Sequence, residues 1–248
     1  IGAGAIYLDI PRAVQLAVSG ALFSAICLLA YRFLLPGPDH RVAPEAAPDA
    51  VPGSRARSTP RRAIYLMLAA LVGIAVAGAV IEDAGSSWAT LYLRDALAAP
   101  AALAALGYVA VVSFQFAGRL LGDRLADRFG QHAVARAGGV IAAAGMGAAL
   151  AFPSVPGTVA GFAAAGFGSA TMVPAAMHAA DELPGLRPGT GLTVLTWLMR
   201  IGFLGSPIVV GAVADAVSLR AALLTVPLAG LAVVLLAGAL RPIRTARS

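Results

Sequence analysis

Residues 64–93 read IYLMLAALVGIAVAGAVIEDAGSSWATLYL. The stretch from Ile64 to Ile81 carries no charge, and the whole run holds no proline. A helix that crosses the hydrocarbon core of a bilayer needs about 20 mostly apolar residues. This stretch supplies them as a continuous block, whereas a soluble amphipathic helix shows a stripe of period 3.6. Reading outward, the same pattern recurs at Ala13–Leu35, Leu103–Leu121, Val134–Phe152, Gly157–Met177, Leu192–Val213 and Ala221–Leu240. Pro174, Pro207 and Pro227 stand inside these blocks. In a soluble helix each would cost about 3 kcal/mol; in a membrane, neighbouring helices and waters satisfy the freed carbonyl. Small residues such as Gly138, Gly139, Gly145 and Gly147 predict close approach between helices.

Composition agrees with a bilayer as solvent. Of 248 residues, 59% are hydrophobic and 12% charged, and the mean hydropathy is +0.84; soluble domains carry about 25% charged residues. Eighteen basic against twelve acidic residues could suit nucleic acid. However, every basic residue is Arg, the Arg cluster between apolar blocks, and no aromatic-interleaved basic face is present for stacking bases. No nucleic-acid partner is expected. Cys27 is the single cysteine, which excludes an intrachain disulfide and a Cys-based metal site. No cluster of metal ligands or cofactor motif stands out, so neither metal nor cofactor is expected. The chain begins at Ile1 with no signal-peptide pattern, and is expected to start within a longer protein.

The segment between the first two blocks holds Pro36, Pro38, Pro44, Pro48, Pro52 and Pro60 with Arg41, Arg55, Arg57, Arg61 and Arg62. Such a segment reads as a flexible linker. Loops on the cytoplasmic side of a membrane are enriched in Arg and Lys. Placing the linker inside puts fourteen Arg there, including Arg32, the group from Arg119 to Arg136, Arg187, Arg241, Arg244 and Arg247. Arg12, Arg94 and Arg220 fall outside, and Arg200 lies within a span. The linker and C-terminus are therefore expected in the cytoplasm, and the segment Arg94–Ala102 outside. The organisation is one helix and its outer end (1–35), a cytoplasmic linker (36–63) and six helices (64–248). The fold class is all-α membrane protein with seven transmembrane helices.

Between the third and fourth spans the chain reads Gly122-Asp123-Arg124-Leu125-Ala126-Asp127-Arg128-Phe129-Gly130. This resembles the signature loop of the major facilitator superfamily, G-x-L-a-D-R-x-G-R/K, matched at Leu125, Ala126, Asp127, Arg128 and Gly130. Asp123 stands where the family has its first Gly, and Gln131 where it has a basic residue. Further stretches resemble its fucose-permease-like branch of bacterial inner-membrane proteins: Gly118–Asp123, Trp88–Leu93 after Glu82, Gly166-Phe167-Gly168 with Pro174, and Arg200–Pro207 followed by Gly211. The resemblance covers the chain. It implies that the last six helices form the C-terminal bundle of a major-facilitator fold, that the first is helix six, and that five helices and the rest of an N-terminal lobe are missing. It also implies a cell-membrane carrier with a small-molecule substrate, working by alternating access. Halves of this kind contain paired three-helix inverted repeats.

Charge inside the apolar blocks marks the candidate site. Arg200 lies about 12 Å along its helix from Leu192, inside a core roughly 30 Å thick. A central Arg costs several kcal/mol unless it faces the bundle interior or a water-filled cavity. It either serves a cavity or caps helix carbonyls. Glu82 and its neighbour Asp83 come next. Glu82 is about 27 Å from Ile64, which places it near the outer boundary, while the resemblance favours a buried substrate or proton site. This depth argues against a direct Glu82–Arg200 pair. Gln115 and Thr171 could line a cavity or bond to neighbouring helices, and Trp197 could stack on a substrate or pack between helices. In the signature loop, Gly122, Asp123, Arg124, Asp127, Arg128 and Gly130 form a candidate gating cluster. Asp127 is expected near a helix start, where the positive end of the dipole favours it; the alternative is a solvated loop that only sets topology.

The expected function is a proton-driven secondary transporter of a small, sugar-like solute, or else an efflux carrier for drugs or metabolites. Cavity-lining spans are expected at Ile64–Leu93, Leu103–Leu121, Gly157–Met177 and Leu192–Val213. Two other classes compete. A scaffold without transport is disfavoured by Arg200 and the signature loop. An intramembrane serine protease is hinted at by Gly166–Ala170 around Ser169, but that chemistry needs a base within reach of Ser169. His178, nine residues on, is about 13.5 Å away along one helix; His40 and His132 read as loop residues.

Overall fold

A computed structural model describes residues 11–31 and 61–240. The chain divides into two units at Ala56/Arg57, and each is described by itself. In the first unit, helix α1 covers Arg12–Tyr31, with an apolar stretch at Leu16–Ala30. Leu16, Phe23, Ile26 and Leu28 on it are exposed. The expected first span, Ala13–Leu35, ends outside the described residues, as do most of the linker and Arg241, Arg244 and Arg247.

The second unit holds six helical segments long and apolar enough to cross a membrane, so the described residues carry six such spans where seven were expected. Helix α2 covers Arg61–Leu91 and continues as a π-helical turn, Tyr92–Ala96. Helix α3 covers Ala101–Phe129 and α4 Gln131–Ala151. Helix α5, Val155–Ser169, and α6, Met172–Asp181, form one broken span. Helix α7 covers Thr190–Ala216. The last span is α8, Leu219–Ala222, then α9, Thr225–Leu236, and a 3₁₀ turn, Ala237–Leu240. No strand occurs among the described residues.

Three boundaries correct the sequence reading. First, Arg61 and Arg62, assigned to the linker, form the first turn of α2. Second, the signature segment is helix and not loop. It forms the last turns of α3, and Gly130 alone separates α3 from α4. Nothing from Arg119 to Phe129 breaks a helix, so α3 runs beyond the apolar block that hydropathy delimits. Asp127 consequently lies in the last turn of α3, where the dipole disfavours an acid. Third, the block Gly157–Met177 is two helices. Pro174 has no N–H for the carbonyl of Ala170, four residues back, and the chain turns at Ala170 and Thr171.

Gly130 has φ +83° and ψ 148°, a region open almost only to glycine. Its N–H bonds to the Ala126 carbonyl and closes α3. Beyond it, His132 lies in the first turn of α4, not in a loop. Its Nδ1 is 2.7 Å from the Ala237 carbonyl, which ties the start of α4 to the end of α9. At the opposite end Arg220 donates to the carbonyls of Leu150 and Ala151, a cation on the negative end of the α4 dipole.

Packing follows the small residues. Gly138 on α4 and Gly168 on α5 meet backbone to backbone, and a Cβ on either would strike the carbonyl of the other. Gly139 meets Gly230 on α9, and Gly145 meets Ala164 on α5; Gly147 has only an ordinary contact, with Pro227. Helix α2 packs against α3, α5, α6, α7 and α9, and Leu71, Ile74 and Ile81 on it are buried in the core with Val111, Met146, Phe162 and Leu195. The contacts Gly85–Val111 and Gly107–Leu93 make α2 and α3 antiparallel, while Val76–Gly202 and Trp88–Gly211 make α2 and α7 parallel. The outer faces remain apolar: Leu106, Phe116 and Leu120 on α3 and Leu204 and Ile208 on α7 are exposed. Such surface suits lipid or further protein, and not water.

Candidate functional site

The seam between α2 and α3 carries an ion pair that joins two helices. Glu82 on α2 approaches Arg119 on α3, with Oε1 and Nη2 3.7 Å apart. The antiparallel crossing brings them level. Glu82 lies fourteen residues before Ala96 and Arg119 eighteen after Ala101, about 21 and 27 Å from those ends along the helices. Both therefore lie inside their helical spans, more than two turns from either end. Their side chains are 39% and 56% exposed, so the pair sits at an open surface of the bundle. One long contact leaves most of the five guanidinium donors and the carboxylate lone pairs free. Arg119 was assigned to the cytoplasmic Arg group from sequence and was not among the candidate residues. Its position inside the block Leu103–Leu121 was the available signal.

Gln115 is one turn before Arg119. It is buried, and its Nε2 has no hydrogen-bond partner among the described residues. The same face of α3 carries Val111, Gly118 and Gly122, which pack against Gly166, Ala170 and Thr171. Thr171, in the break between α5 and α6, presents its methyl group to Gly122. Beside it lies a cavity of about 410 Å³ whose lining includes Arg119, Asp123, Gln131, Thr171 and His178.

On another face of α2, Asp83 is 5% exposed. Its Oδ2 accepts from the Ser206 hydroxyl on α7 at 2.9 Å, and its Oδ1 accepts from Ser87 at 3.1 Å. Ser206, Ser87 and Trp88, whose buried indole N–H has no partner among the described residues, were not among the candidate site residues. A serine facing an acid on a distant helix leaves no local signature.

The remaining candidates are spread out. Arg200 and Trp197 lie three residues apart on the exposed side of α7, Trp197 at 65% exposure. Neither makes a hydrogen bond or ion pair with a described residue. Glu82 therefore pairs with Arg119, and Arg200 stands apart from that pair. Of the signature residues, Gly122 is buried and Asp123, Arg124, Asp127, Arg128 and Gly130 are exposed; Arg128 lies over the Phe129 ring at 5.4 Å. Ser169 donates its hydroxyl to the Gly166 carbonyl. His178 is on the next helix, 3.5 Å from Glu182, and no hydrogen bond joins it to Ser169.

On the far side of α3 an apolar groove of about 870 Å³ runs against α5 and α4, with Leu106, Phe114, Ile141, Val159 and Phe167 in its walls. Ile141 and Phe167 also line an adjoining cavity of about 370 Å³.

No protein-family model matches the chain. It is 37% identical over 154 residues to the membrane protein MosC of Rhizobium meliloti, covering 62% of this chain and 38% of that protein. It is 31% identical over 176 residues to an uncharacterised transporter of Sinorhizobium fredii, covering 69% and 46%. With an uncharacterised MFS-type transporter of Yersinia pestis it shares 28% over 141 residues, covering 57% and 37%. The aligned chain thus spans less than half the length of these relatives. Six apolar helices and relatives of this kind identify the chain as a multi-pass, all-helical membrane protein related to transporters of the major facilitator type.

Proposed function

We propose that the second unit is the C-terminal lobe of a major-facilitator secondary carrier, and that α1 is the last helix of the N-terminal lobe, which supplies the other cavity wall. The carrier works by alternating access on a proton gradient and moves a small polar solute. The observation that carries this reading is the Glu82–Arg119 pair, inside two candidate spans yet about half exposed. A charge pair at that depth is costly against lipid and belongs at a water-filled cavity or a protein contact. Opposite charges with spare donors and acceptors suit a solute of alternating hydroxyls or a zwitterion. This favours a sugar-like substrate. The exposed side of α7 with Arg200 and Trp197 faces the same cavity or the partner lobe, because a lipid-facing Arg is costly in the same way. The Arg-rich ends of α2, α3 and α4 then lie in the cytoplasm of a bacterial inner-membrane protein, and Asp123, Arg124, Asp127 and Arg128 there serve as the gate.

The second reading is efflux of an apolar compound, favoured by the groove between α3 and α5. Substrate competition on the intact protein in proteoliposomes separates the two. Glu82→Gln and Arg119→Gln should each abolish transport of the polar solute at normal insertion. Full transport in both would remove the pair from the site. Phe114→Ala in the groove should matter only if the compound is apolar.

A further inference from the structure

Helices α3 and α4 meet at Gly130, and both pack on α5. The cleft between them is the cavity of about 370 Å³, with Leu125 and Phe129 of α3, Val134 and Ala137 of α4, and Phe167 and Gly168 of α5 in its lining. No residue that lines it is charged. Thr171 has the one polar side chain there, and it turns its methyl group to Gly122. Through Ile141 and Phe167 the cleft joins the larger apolar groove.

The charges of α3 divide by face. At about 100° per residue, Asp123 and Asp127 lie about 40° and 80° round the helix from Arg119, on the side turned to Glu82. Arg124 and Arg128 lie about 140° and 180° from Arg119, on the side of Ala110 and Phe114 in the groove. The Arg128 guanidinium sits over the Phe129 ring at 5.4 Å, and that residue lines the cleft. On α4, Arg136 is exposed beside Ala137 of the cleft, and the helix carries no acidic residue. Arg124 and Arg136 make no hydrogen bond or ion pair with a described residue, and Arg128 has only its ring contact. Three cations without a facing anion thus stand at the Gly130 end of an apolar cleft.

We propose that this cleft binds an anionic phospholipid, with one acyl chain between α3 and α4 and its phosphate held by Arg128 and Arg136, Arg124 adding to the local positive field. Basic sites between helices at the membrane surface take phospholipid headgroups, and Arg meets phosphate with paired N–H donors. The lengths agree. One leaflet of hydrocarbon is about 15 Å deep, half of a 30 Å core, and ten residues of α3 rise about 15 Å. A chain that starts at Arg128 therefore reaches the level of Gly118, at the far end of the cleft. The headgroup is anionic and not zwitterionic, because an amine needs an acid and Asp123 and Asp127 are on the other side of α3. The occupant is lipid and not the partner lobe, because Arg119 borders the proposed cavity and the Arg128 side of α3 is turned away from it. This facing, and the assignment to the cytoplasmic leaflet, rest on the carrier reading; the charges and the cleft do not.

The test is photolabelling of the intact protein in phosphatidylcholine liposomes. The probe is a trace of phosphatidylglycerol with a diazirine on its acyl chain, and adducts are mapped by peptide mass spectrometry. They should fall on α3 and α4 between Gly118 and Ile141. Unlabelled phosphatidylglycerol should displace the probe at least tenfold more effectively than phosphatidylethanolamine. Arg128→Gln and Arg136→Gln, both at exposed positions, should each raise the phosphatidylglycerol needed for half displacement about fivefold, the weight of one basic residue at an anionic surface. Ala137→Trp keeps every Arg but fills the cleft, and should remove the adducts; it decides the matter if the Arg variants fail to insert. Equal displacement by the two lipids, or unchanged displacement in the inserted Arg variants, would reduce the cleft to ordinary solvation by the bilayer. That result would overturn the proposal and leave the carrier reading intact. Absence of adducts in the cleft would also overturn it. If a photoreactive side chain at Ala137 then cross-linked to the remainder of the intact protein, the facing of the lobe proposed above would fall as well.

Discussion

Arg119 and Arg200 show what one residue reveals and what it hides. Arg200 was visible in sequence because it stands alone in an apolar block. Arg119 was not, because it is close to charged neighbours and reads as the start of a loop. Helix α3 continues through those charges to Phe129, which draws Arg119 inward to Glu82. The carboxylates were equally half legible. Glu82 and Asp83 are adjacent in sequence, but consecutive residues on a helix point about 100° apart. One therefore meets α3 and the other α7. For Arg200 the expectation concerns geometry. Lys keeps the charge but loses the planar fork of donors, while Met and Gln remove the charge. In the intact protein Arg200→Lys should reduce transport per inserted molecule about tenfold or more, and Arg200→Met should abolish it. That loss corresponds to at least about 1.4 kcal/mol in the transport step. Transport normalised to inserted protein measures this. Normal specific transport in Arg200→Met would confine the residue to capping carbonyls.

At the scale of elements, hydropathy located the spans and missed their ends. Apolar blocks mark the part of a helix inside lipid, but α3 extends past its block on charged residues, and α4 begins at Gln131. The junction depends on Gly130, whose φ of +83° with ψ 148° costs other residues about 1–3 kcal/mol. Gly130→Ala should therefore lower the stability of the intact protein by that amount, read as thermal unfolding in detergent. Gly147→Ala is the control. It sits inside α4 with only an ordinary contact to Pro227, and helix propensity favours Ala there by up to about 1 kcal/mol. Equal melting of the two variants would mean that the turn relaxes at no cost. The same comparison applies to packing. Gly138→Leu should prevent assembly of α4 on α5, because its side chain would occupy the Gly168 backbone. The glycine pattern made close approach at Gly138 legible from sequence but not its partner Gly168, whereas the broken span at Ala170–Thr171 was readable only if Pro174 was taken as a break.

For the whole molecule, the faces left uncovered decide what the chain can do alone. Helix α7 exposes Trp197, Ile201, Leu204 and Ile208 in one stripe with Arg200, and the Glu82–Arg119 pair is open on α2 and α3. Lipid can cover the apolar part of such a surface but not the charges. A carrier of this type moves its substrate by rocking two lobes around a site between them. On the proposed reading this chain is one such lobe and provides one wall, so the site would be open to both sides or collapsed against lipid, and a gradient could not be coupled to movement. Residues 1–248, purified and reconstituted, should accordingly insert but not transport, while the intact protein under the same conditions does. On the same reading, supplying the remainder of the intact protein as a separate chain should restore transport. The measurement is uptake of labelled solute into liposomes under an imposed proton gradient, normalised to inserted protein. Rates for residues 1–248 close to those of the intact protein would show that two copies of this lobe complete the site for each other. Arg200 would then have to meet its counterpart, or the Glu82 of that second copy, across the dimer.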